Sequence, residues 1–184
     1  KYKEACFACT TPYQVLGAIS ITLNNQLEAD LYIFGMFPNY QVVAEKLKDY
    51  NYFSNVFAVD CSKIGSPGRV EGFRQMLFAE RTVSFYLQKE VAYHTYYSSS
   101  RALPKTILQQ VLLRRNPHMN RVIYEDGMGT YAKNSHPLNP TKLKSVAEKV
   151  LGWSLDNPDN MSMMAYIPQL VEVPEYFVGH TVDQ

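Results

Sequence analysis

Glu4-Ala-Cys-Phe-Ala-Cys-Thr-Thr-Pro-Tyr-Gln14 is the stretch that decides the fold. Its apolar first half predicts a strand over 4–9. Without a linker the chain then enters Thr11-Pro12-Tyr13-Gln14, a helix-start signature: Thr11 at the cap, Pro12 at the first helical position, Gln14 reaching back. A strand running straight into a capped helix is the first half of a βαβ unit. Outward from it the alternation repeats, with strands predicted at 30–36, 53–60, 92–98 and 121–125. Helices are predicted at 12–24, 41–50, 69–91 and 105–115. This pattern predicts an α/β fold with a mostly parallel, doubly wound sheet and helices on both faces.

Within the segment 69–91, Val70, Phe73, Leu77, Ser84, Leu87 and Val91 fall near one side, which predicts one long helix with an inward stripe. Gly65, Pro67 and Gly68 mark the loop before it, and Asn116-Pro117 ends the helix that leads into the fifth strand. After Lys133 the pattern changes to a loop at 134–140, a short basic helix at 141–151 and a turn at 156–160. Short apolar pieces follow at 161–167 and 170–173. The expected organisation is one domain over 1–155, with 156–184 as a tail toward a second domain.

The 184 residues are enough to bury a sizeable core, and 46% apolar with 19% charged residues is an ordinary globular composition. Eighteen basic against 17 acidic side chains leave a net charge of +1, so no global field draws in nucleic acid or an acidic membrane. No apolar run approaches the roughly 18 residues of a spanning helix. Three cysteines, Cys6, Cys9 and Cys61, cannot all pair, which favours a reducing compartment. Cys6 and Cys9 have CxxC spacing, but residues three apart on a strand face opposite sides. His94 falls within a predicted strand and reads as packed or hydrogen-bonded, while His118 and His180 lack partner spacing. No metal site emerges from them. Fourteen tyrosines offer ring area together with a hydroxyl, a combination suited to sugars and bases as well as to cores.

Chemistry concentrates in Arg121-Val-Ile-Tyr-Glu-Asp-Gly-Met-Gly-Thr-Tyr131. An apolar strand ends in two adjacent carboxylates, Glu125 and Asp126, and then in a turn containing Gly127 and Gly129. In open α/β sheets, reactive groups gather at the carboxyl ends of strands. Neighbouring acids repel, which pushes one toward a basic, proton-accepting role. The glycines permit positive φ and close approach of a substrate. The bland alternative is that both acids cap the turn or pair with Lys133 or Arg121. The glycines do not form a GxGxxG fingerprint after the first strand, which argues against a dinucleotide enzyme.

Two segments carry a family resemblance. Cys9-Thr10-Thr11-Pro12-Tyr13-Gln14 resembles the Thr-Pro-x-Gln element of glycosyltransferase family 52. Glu125-Asp126-Gly127, followed by Gly129-Thr130-Tyr131, resembles the acidic-acidic-glycine motif of that family and of related bacterial sialyltransferases and polysialyltransferases. The likeness extends over about 5–175, with only these two motifs sharp. It implies the N-terminal half of a GT-B enzyme, in which two Rossmann-like domains face each other across a cleft. It further implies transfer of sialic acid from CMP-sialic acid to a galactose-ended glycan of capsule or lipooligosaccharide, although some members are described as glucosyltransferases. By the resemblance, Glu125 is the general base and Asp126 tunes its charge or orients loop amides. A carboxylate suffices for that proton transfer, so the step itself requires no metal and no cofactor beyond the donor substrate. The relatives place a His-Pro motif in the C-terminal domain. His136-Pro137 comes too early to be that element, so the chain alone is expected to lack most of its donor site and to be inactive.

Around the same sheet edge, Thr10, Thr11 and Gln14 either bind acceptor hydroxyls or a donor carboxylate, or simply cap their helix. Ser99 and Arg101, within Ser98-Ser99-Ser100-Arg101, either meet an anionic group or form a solvated turn. The expected partners are a nucleotide-sugar donor and an oligosaccharide or lipid-linked glycan acceptor. The expected place is the cytoplasm, at the inner face of the membrane where lipid-linked acceptors lie; a homodimer is left open. The competing readings are another sugar nucleotide on the same scaffold, a non-catalytic binding fragment, and a receiver-like module. A receiver needs its acid pair after the first strand, where this chain has Cys-Thr-Thr-Pro.

Overall fold

A computed structural model describes residues 2–64, 74–75, 77–99, 102–124 and 161–164. Along the chain run β1 (Tyr2–Cys9), α1 (Pro12–Asn25), β2 (Ala29–Phe34), α2 (Tyr40–Asp49) and β3 (Asn55–Val59). A 3-10 turn (Cys61–Lys63) follows, then α3 (Ala79–Val83), β4 (Ala92–Ser98), α4 (Leu103–Arg115), β5 (Asn120–Tyr124) and β6 (Met161–Met164). The strands form one sheet in the order β3-β2-β1-β4-β5-β6. Every pairing is parallel. The fold is therefore α/β, Rossmann-like and doubly wound, as the alternation predicts.

The two helix layers follow from residue parity along the strands. Ala5, Phe7 and Cys9 of β1 and Leu31 and Ile33 of β2 share a core with Val15, Ala18 and Ile19 of α1 and Val43, Ala44 and Leu47 of α2. Cys6 and Ala8 with Tyr32 and Phe34 turn the other way, onto Ala79 and Val83 of α3 and Ile107, Leu108, Val111 and Leu112 of α4. Both faces are covered, so β2 is buried along its whole length, as central parallel strands must be. Cys6 and Cys9 consequently lie in different cores, both buried and neither in a disulfide.

Three expectations need correction. The helix predicted over 69–91 stops at Val83, and the described residues from 84 to 91 are turns. Side chains capture helix carbonyls there: the Thr82 hydroxyl donates to Phe78 O (3.1 Å) and the Ser84 hydroxyl to Arg81 O (2.7 Å). Arg115 then clamps the turn, its Nη1 donating to Gln88 O (2.7 Å) and Val91 O (3.0 Å) and its Nη2 to Glu80 Oε2 (2.7 Å). Val83, Leu87 and Val91 still pack inward, so the stripe is real although the chain there is not helical. His94 is exposed rather than packed, and stacks on Tyr2 with ring centroids 5.2 Å apart. β6 pairs with β5 and so belongs to this sheet, although it lies past residue 155, where the domain is expected to end.

A buried polar cluster pins the opposite, amino-terminal edge of the sheet. Asp30 accepts from Lys3 Nζ (2.6 Å), Tyr93 Oη (2.6 Å) and Asn55 Nδ2 (2.8 Å), and the Tyr93 and Tyr32 hydroxyls share a 2.7 Å bond. These contacts join β1, β2, β3 and β4. Burial drives the Tyr32 and Tyr93 phenols well above their ordinary range.

Candidate functional site

The sheet order reverses between β1 and β4, since β2 and β3 lie on one side of β1 and β4, β5 and β6 on the other. Such a reversal opens a crevice at the carboxyl ends of the two central strands, because the connections leave toward opposite faces. Register brings three strand ends abreast there. Ala8 pairs with Ser98 and Ser98 with Ile123, so Cys9, Ser99 and Tyr124 stand side by side at the edge. The residues that sequence singles out on β1 and β4 are thereby brought together.

On the β1 side, Thr11 caps α1, its Oγ1 accepting from the Gln14 N–H (3.2 Å), and Pro12 opens the first turn. Gln14 does not complete the reciprocal box onto Thr11. Its Oε1 reaches one residue further back, accepting from the Thr10 N–H (2.7 Å) and the Thr10 hydroxyl (3.1 Å). A third donor meets the same oxygen, Lys105 Nζ at 3.2 Å. Gln14 and Lys105 are each only 1% exposed. Gln14 therefore shapes the turn from inside, while Thr11 keeps part of its surface outward.

Lys105 sits in the first turn of α4, which no side chain caps. The Tyr96 hydroxyl holds its backbone, donating to Lys105 O (3.1 Å). A cation in the first turn of a helix runs against the helix dipole, and one set between Pro104 and Ile107-Leu108 is buried by its neighbours. Those two oddities are the sequence signals for Lys105, which sequence reasoning treats as a helix boundary only. Just past the end of β4, the Ser99 hydroxyl is buried and, among the described residues, without a hydrogen-bond partner. A buried hydroxyl left unpaired is costly, so a polar ligand reaching this edge gains by satisfying it.

On the β5 side, Tyr124 is the fastener. Its hydroxyl donates to Gln14 O (3.0 Å) and lies 3.2 Å from Cys9 Sγ, and its ring meets Phe7 edge-on at 6.2 Å. Gly17 of α1 makes room: a Cβ there would stand 3.0 Å from Tyr124 Cε2. The last residue of β5 is thus tied to the β1–α1 turn, and the chain continues from it directly into Glu125. Tyr124 also carries no signal in sequence beyond its place before the acids.

Glu125, Asp126, Gly127, Gly129 and Arg101 lie outside the described residues, as do His136-Pro137 and the segments predicted at 141–151 and 170–173. Among the described residues no group of three His, Cys, Asp or Glu side chains is placed to hold a metal ion. No helix among them is long and apolar enough to cross a membrane.

Fold and site together define a Rossmann-like, doubly wound domain whose switch point is laced by side chains where dinucleotide enzymes carry glycines. The chain matches no family model, no curated protein and no solved structure.

Proposed function

We propose that this chain is the acceptor-side domain of an inverting glycosyltransferase of GT-B architecture, a sialyltransferase using CMP-sialic acid. One observation carries the reading. Tyr124 fastens the end of β5 to the β1–α1 turn, so the Glu125-Asp126 pair follows directly from a strand end at the switch-point edge. The Thr-Pro-x-Gln element and the strand end that leads into the acidic motif, distant in sequence, thereby meet at one edge of the sheet.

In the proposed reaction Glu125 accepts the proton of an acceptor galactose hydroxyl as its oxygen attacks the anomeric carbon of sialic acid. The new C–O bond forms opposite the bond to the CMP phosphate, which breaks and leaves with its electron pair, inverting the centre. Asp126 tunes the charge of Glu125, and the unpaired Ser99 hydroxyl with the outward part of Thr11 meets acceptor hydroxyls. Glycan acceptors of bacterial surface polymers fit this class, including lipid-linked ones at the inner membrane face.

The test uses a protein carrying this domain together with its nucleotide-binding half. Glu125→Gln lowers turnover by about 10²–10⁴-fold, the usual contribution of a general base, while CMP binding persists. Undiminished turnover removes Glu125 from the chemistry. A screen of CMP-, UDP- and GDP-sugars fixes the donor.

A further inference from the structure

We infer that Lys105 is a positioning residue that acts through Gln14 to set the shape of the β1–α1 turn. The role concerns the site proposed above and rests on that reading only for its effect on transfer.

Any glutamine side chain carries an ambiguity. Its amide presents an acceptor and a donor of nearly equal shape, so a half-turn about the last torsion exchanges them. At the switch point the difference is decisive, because the Thr10 N–H points at the group and can only donate. Thr10 alone supplies a backbone donor at 2.7 Å and a hydroxyl at 3.1 Å, and a hydroxyl rotates to suit either partner. Lys105 reinforces the orientation that the Thr10 N–H selects. An ammonium has only donors, so at 3.2 Å it donates to the amide oxygen and would repel the NH2. The charge also strengthens the bond in a site closed to water, Gln14 and Lys105 both being almost wholly buried.

The ammonium in turn is held in place. Tyr96 of β4 bonds the Lys105 carbonyl, fixing the first turn of α4 on the sheet. Tyr124 of β5 bonds the Gln14 carbonyl, fixing the first turn of α1. Lys105 and Gln14 therefore bridge the two helix starts that flank the reversal, and Thr10 is the residue whose backbone direction they set. If Thr10 swings, the outward surface of Thr11 swings with it.

Double substitutions in this chain separate that role from simple packing. Lys105→Met keeps the length of the side chain and removes the charge, and it leaves Gln14 with both of its bonds from Thr10. Amide hydrogen exchange at Thr10, read by NMR, is expected to speed up about ten- to a hundredfold in Lys105→Met, the range for losing a charge-assisted hydrogen bond, while the β2 core amides stay protected. Gln14→Glu offers the ammonium a carboxylate and keeps Thr10 protected when Lys105 is present. The same substitution combined with Lys105→Met buries an acid without its counter-charge and loses the protection. Equal tolerance of Gln14→Glu in both backgrounds, or unchanged Thr10 exchange in Lys105→Met, overturns the inference. If Lys105→Met does not fold, the Gln14→Glu arm with Lys105 present decides: loss of Thr10 protection there overturns it.

Transfer by the two-domain protein then reports on function separately. Lys105→Met lowers kcat/KM about a hundredfold through kcat, the scale of a small misplacement of a reacting group. Exchange that responds as expected in a protein with no transfer activity sinks the glycosyltransferase reading and leaves the positioning role standing.

Discussion

Replacing Gly17 by alanine should destabilise this domain, against the ordinary rule for helices. Gly17 lies inside α1, where alanine normally gains about 1 kcal/mol over glycine. Here the added Cβ would meet Tyr124 Cε2 at 3.0 Å and Cδ2 at 3.2 Å. The ring has nowhere to retreat, being fully buried, bonded at its hydroxyl to Gln14 O and Cys9 Sγ, and set edge-on against Phe7. Forcing atoms into a packed core costs about 1–3 kcal/mol, so the balance is a net loss of about 1 kcal/mol. Urea titration of Gly17→Ala in the wild-type and Tyr124→Leu backgrounds measures it. With the ring gone, the helix preference returns and Gly17→Ala becomes stabilising by about 1 kcal/mol, giving a coupling of about 2 kcal/mol between the two positions. A stabilising Gly17→Ala in the wild-type background refutes the packing argument. It would also remove the reason for treating the end of β5 as rigidly tied to α1.

Two further outcomes test the opposite edge and the core. Asp30→Ala leaves Lys3, Tyr93 and Asn55 without their shared acceptor and should cost about 3–5 kcal/mol, as for a broken buried pair; a urea-determined loss below about 1 kcal/mol would show the cluster to be idle. Alkaline pH should unfold the domain, because burial raises the folded-state phenol pKa values of Tyr32, Tyr93 and Tyr96. The unfolded chain then releases these protons first, from about pH 10. Stability is unaffected by them below that pH and falls above it by about 1.4 kcal/mol per pH unit for each tyrosine, or about 4 for the three. Full ellipticity at pH 12 would contradict this.

Architecture was legible because it rests on periodicity, which one sequence displays directly. The apolar run ending at Cys9 and the Thr11-Pro12 start define a βα junction by local chemistry, and both occur as expected. Val83, Leu87 and Val91 mislead for a related reason: a spacing of four marks a shared face only while the chain stays helical, and the helix ends at Ser84, whose hydroxyl bonds Arg81 O. The site was legible only in part. Thr10, Thr11, Gln14 and Ser99 can be placed at strand ends from sequence. The partnership of Gln14 with Lys105 spans 91 positions and depends on the strand order, which local patterns do not contain. Tyr124 and Gln14 are 110 apart and meet for the same reason.

What the β1–α1 turn holds also constrains what can bind there. In dinucleotide enzymes of this strand order, glycines at this turn let a pyrophosphate approach the free amides of the first helix. Here the first helical residue, Pro12, has no N–H, Thr11 Oγ1 takes the Gln14 N–H, and Gln14 Oε1 takes the Thr10 N–H just before the helix. A phosphate entering at this point would have to expel a buried amide and break its three bonds, to Thr10 twice and to Lys105 once. At about 1 kcal/mol net for each neutral bond and about 2 for the charged one, that is a loss of about 4 kcal/mol, nearly a thousandfold in affinity, before any new contact is counted. The turn is built to be kept. On the proposed reading, a ligand at the switch point would meet the outer side of Thr11 and the ends of β4 and β5, where among the described residues the Ser99 hydroxyl has no partner. Those groups suit an uncharged, hydroxyl-bearing molecule better than a nucleotide phosphate, which is the division of labour expected of an acceptor-side domain.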